Sequence, residues 1–213
     1  MSSAETRFLA ETGFLYTMPD PAEHSHEPES ANVMKFCPRC GQPLEDKFVF
    51  GRTRRVCPGC GFVFFREPKV ATGALVERAG AVLLVRRSVD PKKGYWALPA
   101  GYMEIDEGPL ATAIRECFEE TGLVVRVTGL FGVYHISSDP RGAGVLVLYR
   151  AVVESGTLKS GDDASEVAFF TPETLPREIA FASTRRALLR WCAEKKDEGR
   201  GMRDEDPSAG DKG

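Results

Sequence analysis

Apolar positions along the chain follow two rhythms. Val70 to Glu77 and Ala81 to Arg87 are dense in β-branched and apolar residues and flank Arg78-Ala79-Gly80, the signature of a hairpin. Val124 to Tyr134 and Gly144 to Val153 read as two more strands, joined by a polar turn over residues 137–142. Acidic residues then lead into a short apolar strand ending at Phe170. Between the strands the spacing changes to three and four: Leu110, Ala113, Ile114 and Cys117 share one face, Pro109 suits a first helical turn, and Gly122 suits the position just past the last. A second amphipathic helix is expected from Phe181 to Lys195, with Leu188, Trp191 and Cys192 on its apolar side and Ser183 as its N-cap.

The flanks differ in kind. Residues 1–33 hold Pro19, Pro21 and Pro28, with six acidic residues against the single Arg7, a composition that does not collapse onto a core. Met18 or Met34 is read as an alternative start, which would make this leader dispensable; His24 and His26 within it read as a solvated pair. The tail over residues 196–213 is charged and glycine-containing and reads the same way. With 42% apolar residues and no run long enough to span a bilayer, composition points away from a membrane partner. A formal charge of -3 argues against a general nucleic-acid partner.

Six cysteines sharpen this picture. Cys37-Pro-Arg-Cys40-Gly41 and Cys57-Pro-Gly-Cys60-Gly61 are two knuckles separated by residues 41–56, each followed by a glycine that permits a left-handed turn. Four thiolates at this spacing read as a zinc ribbon, a closed tetrahedral Zn²⁺ site without an open position for substrate. Lys47 to Phe50 and Arg54 to Val56 form a hairpin around Gly51 in this reading, and the metal supplies much of the folding free energy of so small a unit. The ribbon also carries Lys35, Arg39, Arg52, Arg54, Arg55 and Arg66, either a solvated basic surface or a phosphate-binding patch. Cys117 and Cys192 lie in helical patterns and read as buried structural thiols, and reduced cysteines fit a cytoplasmic location.

The helix over 109–121 carries the chemistry. Glu116, Glu119 and Glu120 are related by steps of three and four, which gathers their carboxylates where they repel by a few tenths of a kcal/mol per pair. A divalent cation removes that repulsion, and clustered carboxylates are hard oxygen ligands suited to Mg²⁺ or Mn²⁺. The longer pattern, Gly101-x5-Glu107-x7-Arg115-Glu116-Cys117-x-Glu119-Glu120-x-Gly122-Leu123, resembles the Nudix box at every fixed position, with Cys117 a small occupant of an apolar slot.

That resemblance implies an α/β Nudix fold, a mixed sheet sandwiched between helices, over residues 69–195, preceded by the zinc ribbon over residues 34–68. It implies a pyrophosphohydrolase acting on a nucleoside diphosphate linked to another moiety. Glu116, Glu119 and Glu120 would hold Mg²⁺ or Mn²⁺, and Arg115 would orient the box carboxylates, Glu107 among them. Glu166, just before the last strand, occupies the place of a further metal or water-orienting carboxylate, with Asp162 and Asp163 as competitors. Glu119, Glu120 and Glu166 are the candidate general bases.

A ribbon fused to such a domain resembles the NADH pyrophosphatases, but their Ser-Gln-Pro-Trp-Pro-Phe-Pro-x-Ser motif is replaced here by Phe131 to Arg141. Pro140, seventeen residues after Leu123, resembles a proline of ADP-ribose hydrolases, and the knuckles with Trp96-Ala-Leu-Pro-Ala-Gly-Tyr-Met-Glu104 resemble ribbon-bearing ADP-ribose or FAD pyrophosphatases. ADP-ribose is the first expectation, with FAD and NADH behind it; a nucleotide-sensing regulator with a nucleic-acid- or protein-binding ribbon is the alternative of another class. Trp96 reads as core or as a base-stacking group, and Tyr102, Phe131 and Tyr134 are stacking candidates. Relatives commonly dimerise, so a homodimer is also expected.

Overall fold

The alternation of buried residues along two central strands divides the molecule into layers. A computed structural model describes residues 34–136 and 144–201. Strands β1 (Glu45–Val49), β2 (Arg52–Val56) and β3 (Val63–Phe64) form one antiparallel sheet. Strands β4 (Lys69–Arg78), β5 (Ala81–Arg87), β6 (Trp96–Ala97), β7 (Ala100–Tyr102), β8 (Leu123–Ile136), β9 (Gly144–Gly156) and β10 (Ala164–Phe170) form a second, mixed sheet in the order β10-β5-β4-β9-β8. The helices are α1 (Pro109–Thr121) and α2 (Ala182–Gly201). The leader with His24, His26 and Met18, the turn with Pro140, and residues 202–213 lie outside the described residues.

Alternate residues of a strand point to opposite faces of its sheet. Ala74 and Val76 of β4 and Leu83 of β5 pack with Ile114 and Cys117 of α1, while Leu75, Val82 and Leu84 pack with Ala187, Leu188 and Trp191 of α2. The sheet is therefore sandwiched between the two helices, as the resemblance implied. Parallel pairing of β4 with β9, from Lys69↔Gly144 to Glu77↔Val152, ties the first half of the chain to the second.

The feature that makes room for a site is a splay. Strands β4 and β5 pair only beside their turn, at Glu77↔Val82 and Arg78↔Ala81. Farther along, β6 takes over the edge of β5, and β7 takes over the edge of β4. The Pro99 carbonyl accepts from Ala74 N–H at 3.0 Å, and a Cβ on Gly73 would stand 2.5 Å from Cβ of Ala100, so only glycine admits this segment.

Helix α1 begins at Gly108 with Pro109 in its first turn and ends at Gly122, whose φ of 68° lets its N–H reach the Phe118 carbonyl at 2.8 Å. Its buried stripe is not the one the spacing drew. Ala113 and Cys117 are buried, but Leu110 is exposed, and Thr112, Glu120 and Thr121 are buried instead. The helix is rotated so that carboxylate chemistry, not only apolar packing, faces inward. Helix α2 runs to Gly201, past the predicted end at Lys195, with Arg190–Glu194 and Lys195–Glu198 pairs at helical spacing along its last turns. It starts at Ala182, so Ser183 lies inside the helix rather than capping it.

A Gly122→Ala protein should lose about 1–2 kcal/mol or more of stability, since alanine resists a left-handed φ. Its Cβ would also stand 2.6 Å from the Thr157 carbonyl. A shift of the urea midpoint checks this, and an unchanged midpoint would show that the cap is not under this constraint.

Candidate active site

Arg115 is the hub of the helix face. Its Nε and Nη2 donate to Glu107 Oε2 and Oε1 at 3.0 and 2.5 Å, a bidentate pair. Its Nη1 donates to Glu116 Oε1 at 2.8 Å and to Glu119 Oε2 at 2.9 Å. Nη2 also reaches the Tyr102 carbonyl at 3.4 Å, fastening the helix to β7. Glu107 closes its own loop by accepting from Glu104 N–H at 3.0 Å. One guanidinium therefore orients three carboxylates and anchors the loop between β7 and α1.

Gly101 lets the helix come this close. A Cβ there would stand 2.1 Å from the Glu116 carboxylate. Next to it, Ala100 N–H donates to Glu120 Oε2 at 3.1 Å. Glu120 is only 5% exposed and lies outside the set of carboxylates that Arg115 bridges. Burial pushes its carboxyl up to about 8, helped by the neighbouring Glu116 carboxylate and opposed by the Ala100 N–H. Burial also raises Glu116, while the hydrogen bonds from Arg115 hold Glu107 down at about 2.

Glu116, Glu119, Glu120 and Arg115 line a cavity of about 270 Å³ together with Tyr102, Asp162 and Asp163. The two aspartates are placed by the helix end: Lys159 N–H donates to the Thr121 carbonyl at 3.0 Å and Gly161 N–H to the Glu120 carbonyl at 3.2 Å. Asp163 then accepts from Ser88 N–H through its carbonyl at 2.7 Å. Glu166 is placed differently. It pairs in register with Arg86, whose Nη1 approaches its Oε2 at 3.3 Å, and it does not line the cavity. Val85 and Arg87, the neighbours of Arg86, do line it, so strand alternation turns Glu166 to the opposite face.

The aromatic candidates separate as well. Tyr102 lines the cavity, with Lys69 Nζ 4.8 Å from its ring centroid. Phe131 is 2% exposed and clamped between the guanidinium groups of Arg150 and Arg190 at 4.8 and 4.6 Å, which rules it out as a stacking surface. Tyr134 packs against the same cluster, and Trp96 is core, edge-on to Phe170 at 4.9 Å. The cavity wall contributed by Arg87, Ser183 and Thr184 carried no sequence signal, because it is made by register and by the direction of a helix rather than by spacing.

The four knuckle cysteines form a second centre. Their sulfurs all lie within 4.8 Å of one another, with Cys37–Cys60 at 3.5 Å and Cys40–Cys57 at 3.4 Å. A tetrahedron with Zn–S bonds of about 2.3 Å has edges of about 3.8 Å, so the set fits zinc. Gly41 and Gly61 take φ of 74° and 73° and return their N–H groups to Cys37 and Cys57. The Cys60 N–H pulls the Cys57 thiol down to about 6, toward the thiolate that a metal binds.

Residues 67–192 match the model of the NUDIX domain, and residues 35–66 match a zinc-ribbon model described as Nudix N-terminal. The chain belongs to the Nudix family. It is a Nudix hydrolase with relatives that are pyrophosphatases, and members of the family use divalent metal ions. An ADP-ribose pyrophosphatase of Methanocaldococcus jannaschii is 38% identical over 60% of this chain and 76% of its own length. The NAD-capped RNA hydrolase NudC of Chromobacterium violaceum is 33% identical over 81% of this chain and 60% of its own. The crystal structure of a NUDIX hydrolase from Nitrosomonas europaea superposes with a TM-score of 0.70 at 34% identity, covering 77% of this chain and 93% of that one. Among the described residues no helix is long and apolar enough to cross a membrane.

The raised Glu120 has a measurable consequence for this Nudix hydrolase. The folded protein holds the Glu120 proton above the ordinary value of 4.5, so without metal its stability falls as pH rises from 4.5 toward about 8. Zinc-replete protein without magnesium or manganese should melt lower at about pH 8 than at about pH 6, and Glu120→Gln should flatten that slope. An equal slope in both proteins would remove Glu120 as its source.

Proposed function

We propose that the protein hydrolyses the diphosphate of a nucleoside diphosphate linked to another group, ADP-ribose foremost, releasing AMP and a phosphorylated sugar. The observation that carries this reading is the convergence of Glu116, Glu119 and Glu120 on one cavity under the control of Arg115. The similarity to the ADP-ribose pyrophosphatase supports the choice of substrate.

Glu116, Glu119 and Glu120 would hold Mg²⁺ or Mn²⁺, which supplies charge neutralisation of the diphosphate and acidification of an attacking water. Arg115 stays off the substrate and fixes the carboxylates. Glu119 is the most exposed of the three at 41% of its side chain and is free to take a proton from that water. Glu120, buried and hydrogen-bonded to Ala100, is the anchored ligand. Asp162 and Asp163 are the further carboxylates that the cavity offers. Glu166, paired with Arg86 on the other face of the strand, is the less favoured of the later carboxylates. Tyr102 is the stacking candidate for the adenine. The zinc is structural.

FAD or NADH stands second, and similarity to a human NAD(P)H pyrophosphatase over 47% of this chain supports the NADH arm. Release of AMP from ADP-ribose, FAD, NADH, NAD-capped RNA and diadenosine polyphosphates ranks these substrates. ADP-ribose should give the highest kcat/KM, and no AMP from any of them would end the proposal. Glu119→Gln and Glu120→Gln should each lower turnover on the order of 100-fold or more with the fold intact; near-normal turnover in both would remove them from the chemistry. Comparing Asp163→Asn with Glu166→Gln identifies which later carboxylate serves.

Zinc should be found at one ion per chain, and Cys57→Ser should lower the melting temperature. A zinc-free variant that melts like the parent would contradict the structural role.

A further inference from the structure

The cavity has a wall built for negative charge, facing a space otherwise crowded with carboxylates. Phe181, with a φ of 52°, turns the chain sharply into α2. A non-glycine residue in this region is rare, and such conformations collect at ligand sites. The first bond into the helix is Arg185 N–H to the Phe181 carbonyl at 3.2 Å. The N–H groups of Ala182, Ser183 and Thr184 precede it and have no partner among the described residues. They are the positive end of a long helix.

A second observation points to a ligand. Ser183 and Thr184 line the cavity and are only 6% and 3% exposed, yet neither hydroxyl has a hydrogen-bond partner among the described residues. Side chains this enclosed ordinarily pair their polar atoms; these hydroxyl oxygens are not sealed in, and the cavity that the two residues line is where a ligand can reach them. Arg87, whose guanidinium lies 5.2 Å from the centroid of the Phe181 ring, lines the same wall. Backbone donors, two hydroxyls and an adjacent guanidinium make a fixed positive pole. Sugar hydroxyls would use the serine and threonine but gain little from the helix end; phosphate oxygens use all of it.

We propose that the N-terminus of α2, with Ser183, Thr184 and Arg87, is an anion subsite that holds non-bridging phosphate oxygens of the substrate while the carboxylate wall holds the metals. The subsite rests on the reading of the substrate as a diphosphate and adds to it a specificity element independent of the box. It binds what all nucleoside diphosphate substrates share rather than the group that distinguishes them.

The test is a pair of measurements on the metal-saturated full chain, with Ser183→Ala, Thr184→Val and the conservative Thr184→Ser. The first is KM and kcat for ADP-ribose and FAD; the second is calorimetric binding of inorganic pyrophosphate. Ser183→Ala and Thr184→Val should raise KM by about tenfold for both substrates, with kcat less affected, and weaken pyrophosphate in the same proportion. Thr184→Ser should restore both. Unchanged KM and unchanged pyrophosphate affinity in a folded Ser183→Ala protein would overturn the subsite, as would a loss confined to ADP-ribose, which would assign these hydroxyls to the sugar. Wild-type protein that binds pyrophosphate through these residues but cleaves neither nucleotide would support the subsite and sink the functional reading alone.

Discussion

One guanidinium holds the catalytic face together. Arg115 touches Glu107, Glu116, Glu119 and the Tyr102 carbonyl, so it joins helix, loop and strand in a single electrostatic knot. Without a cation these carboxylates repel one another, and Arg115 offsets part of that repulsion before any metal arrives. Glu120 lies outside its reach, and its carboxyl is accordingly the one displaced toward neutrality. The protein is thus prepared on one side and left electrostatically incomplete on the other. A divalent ion, where one binds, would complete it.

The backbone makes the same provision by subtraction. Gly73 and Gly101 stand where a side chain would collide with the Pro99–Ala100 segment or with Glu116. The splay of β4 and β5 opens the sheet, β6 and β7 fill the gap, and the loop after β7 leads directly to the helix that bears the glutamates. A cavity results whose floor is sheet and whose walls are two helix ends.

The parts of this arrangement written in short stretches could be read from the chain. The β4–β5 hairpin, the two ends of α1, the knuckles and the box each depend on spacings of a few residues, and each appears where spacing put it. What depended on tertiary register could not be read. Leu110 has the right spacing but faces solvent because α1 turns Glu120 inward. Phe131 and Tyr134 lie in a strand, as expected, but they pack against Trp191 and its cluster, with Arg150 and Arg190 over the Phe131 ring, instead of offering a stacking surface. Glu166 and Asp163 are three residues apart, and only the pairing of β10 with Arg86 and Arg87 of β5 decides which of them sees the cavity. Ser183 has a cap's identity but a position within α2, because the turn at Phe181 starts the helix at Ala182, two residues earlier than a cap at Ser183 would.

The cysteine set and the carboxylate set differ in how much chain each one needs. Cys37 and Cys60 are separated by 23 positions, and everything that shapes their site lies between or beside them. The carboxylates lie on one helix, but the cavity around them draws on residues from Ala71 to Thr184 and on the parallel pairing of β4 with β9. Local contacts form early and distant ones late. During synthesis, then, the four cysteines can come together as soon as their segment emerges, while the carboxylate cavity stays unassembled until Thr184 has been made.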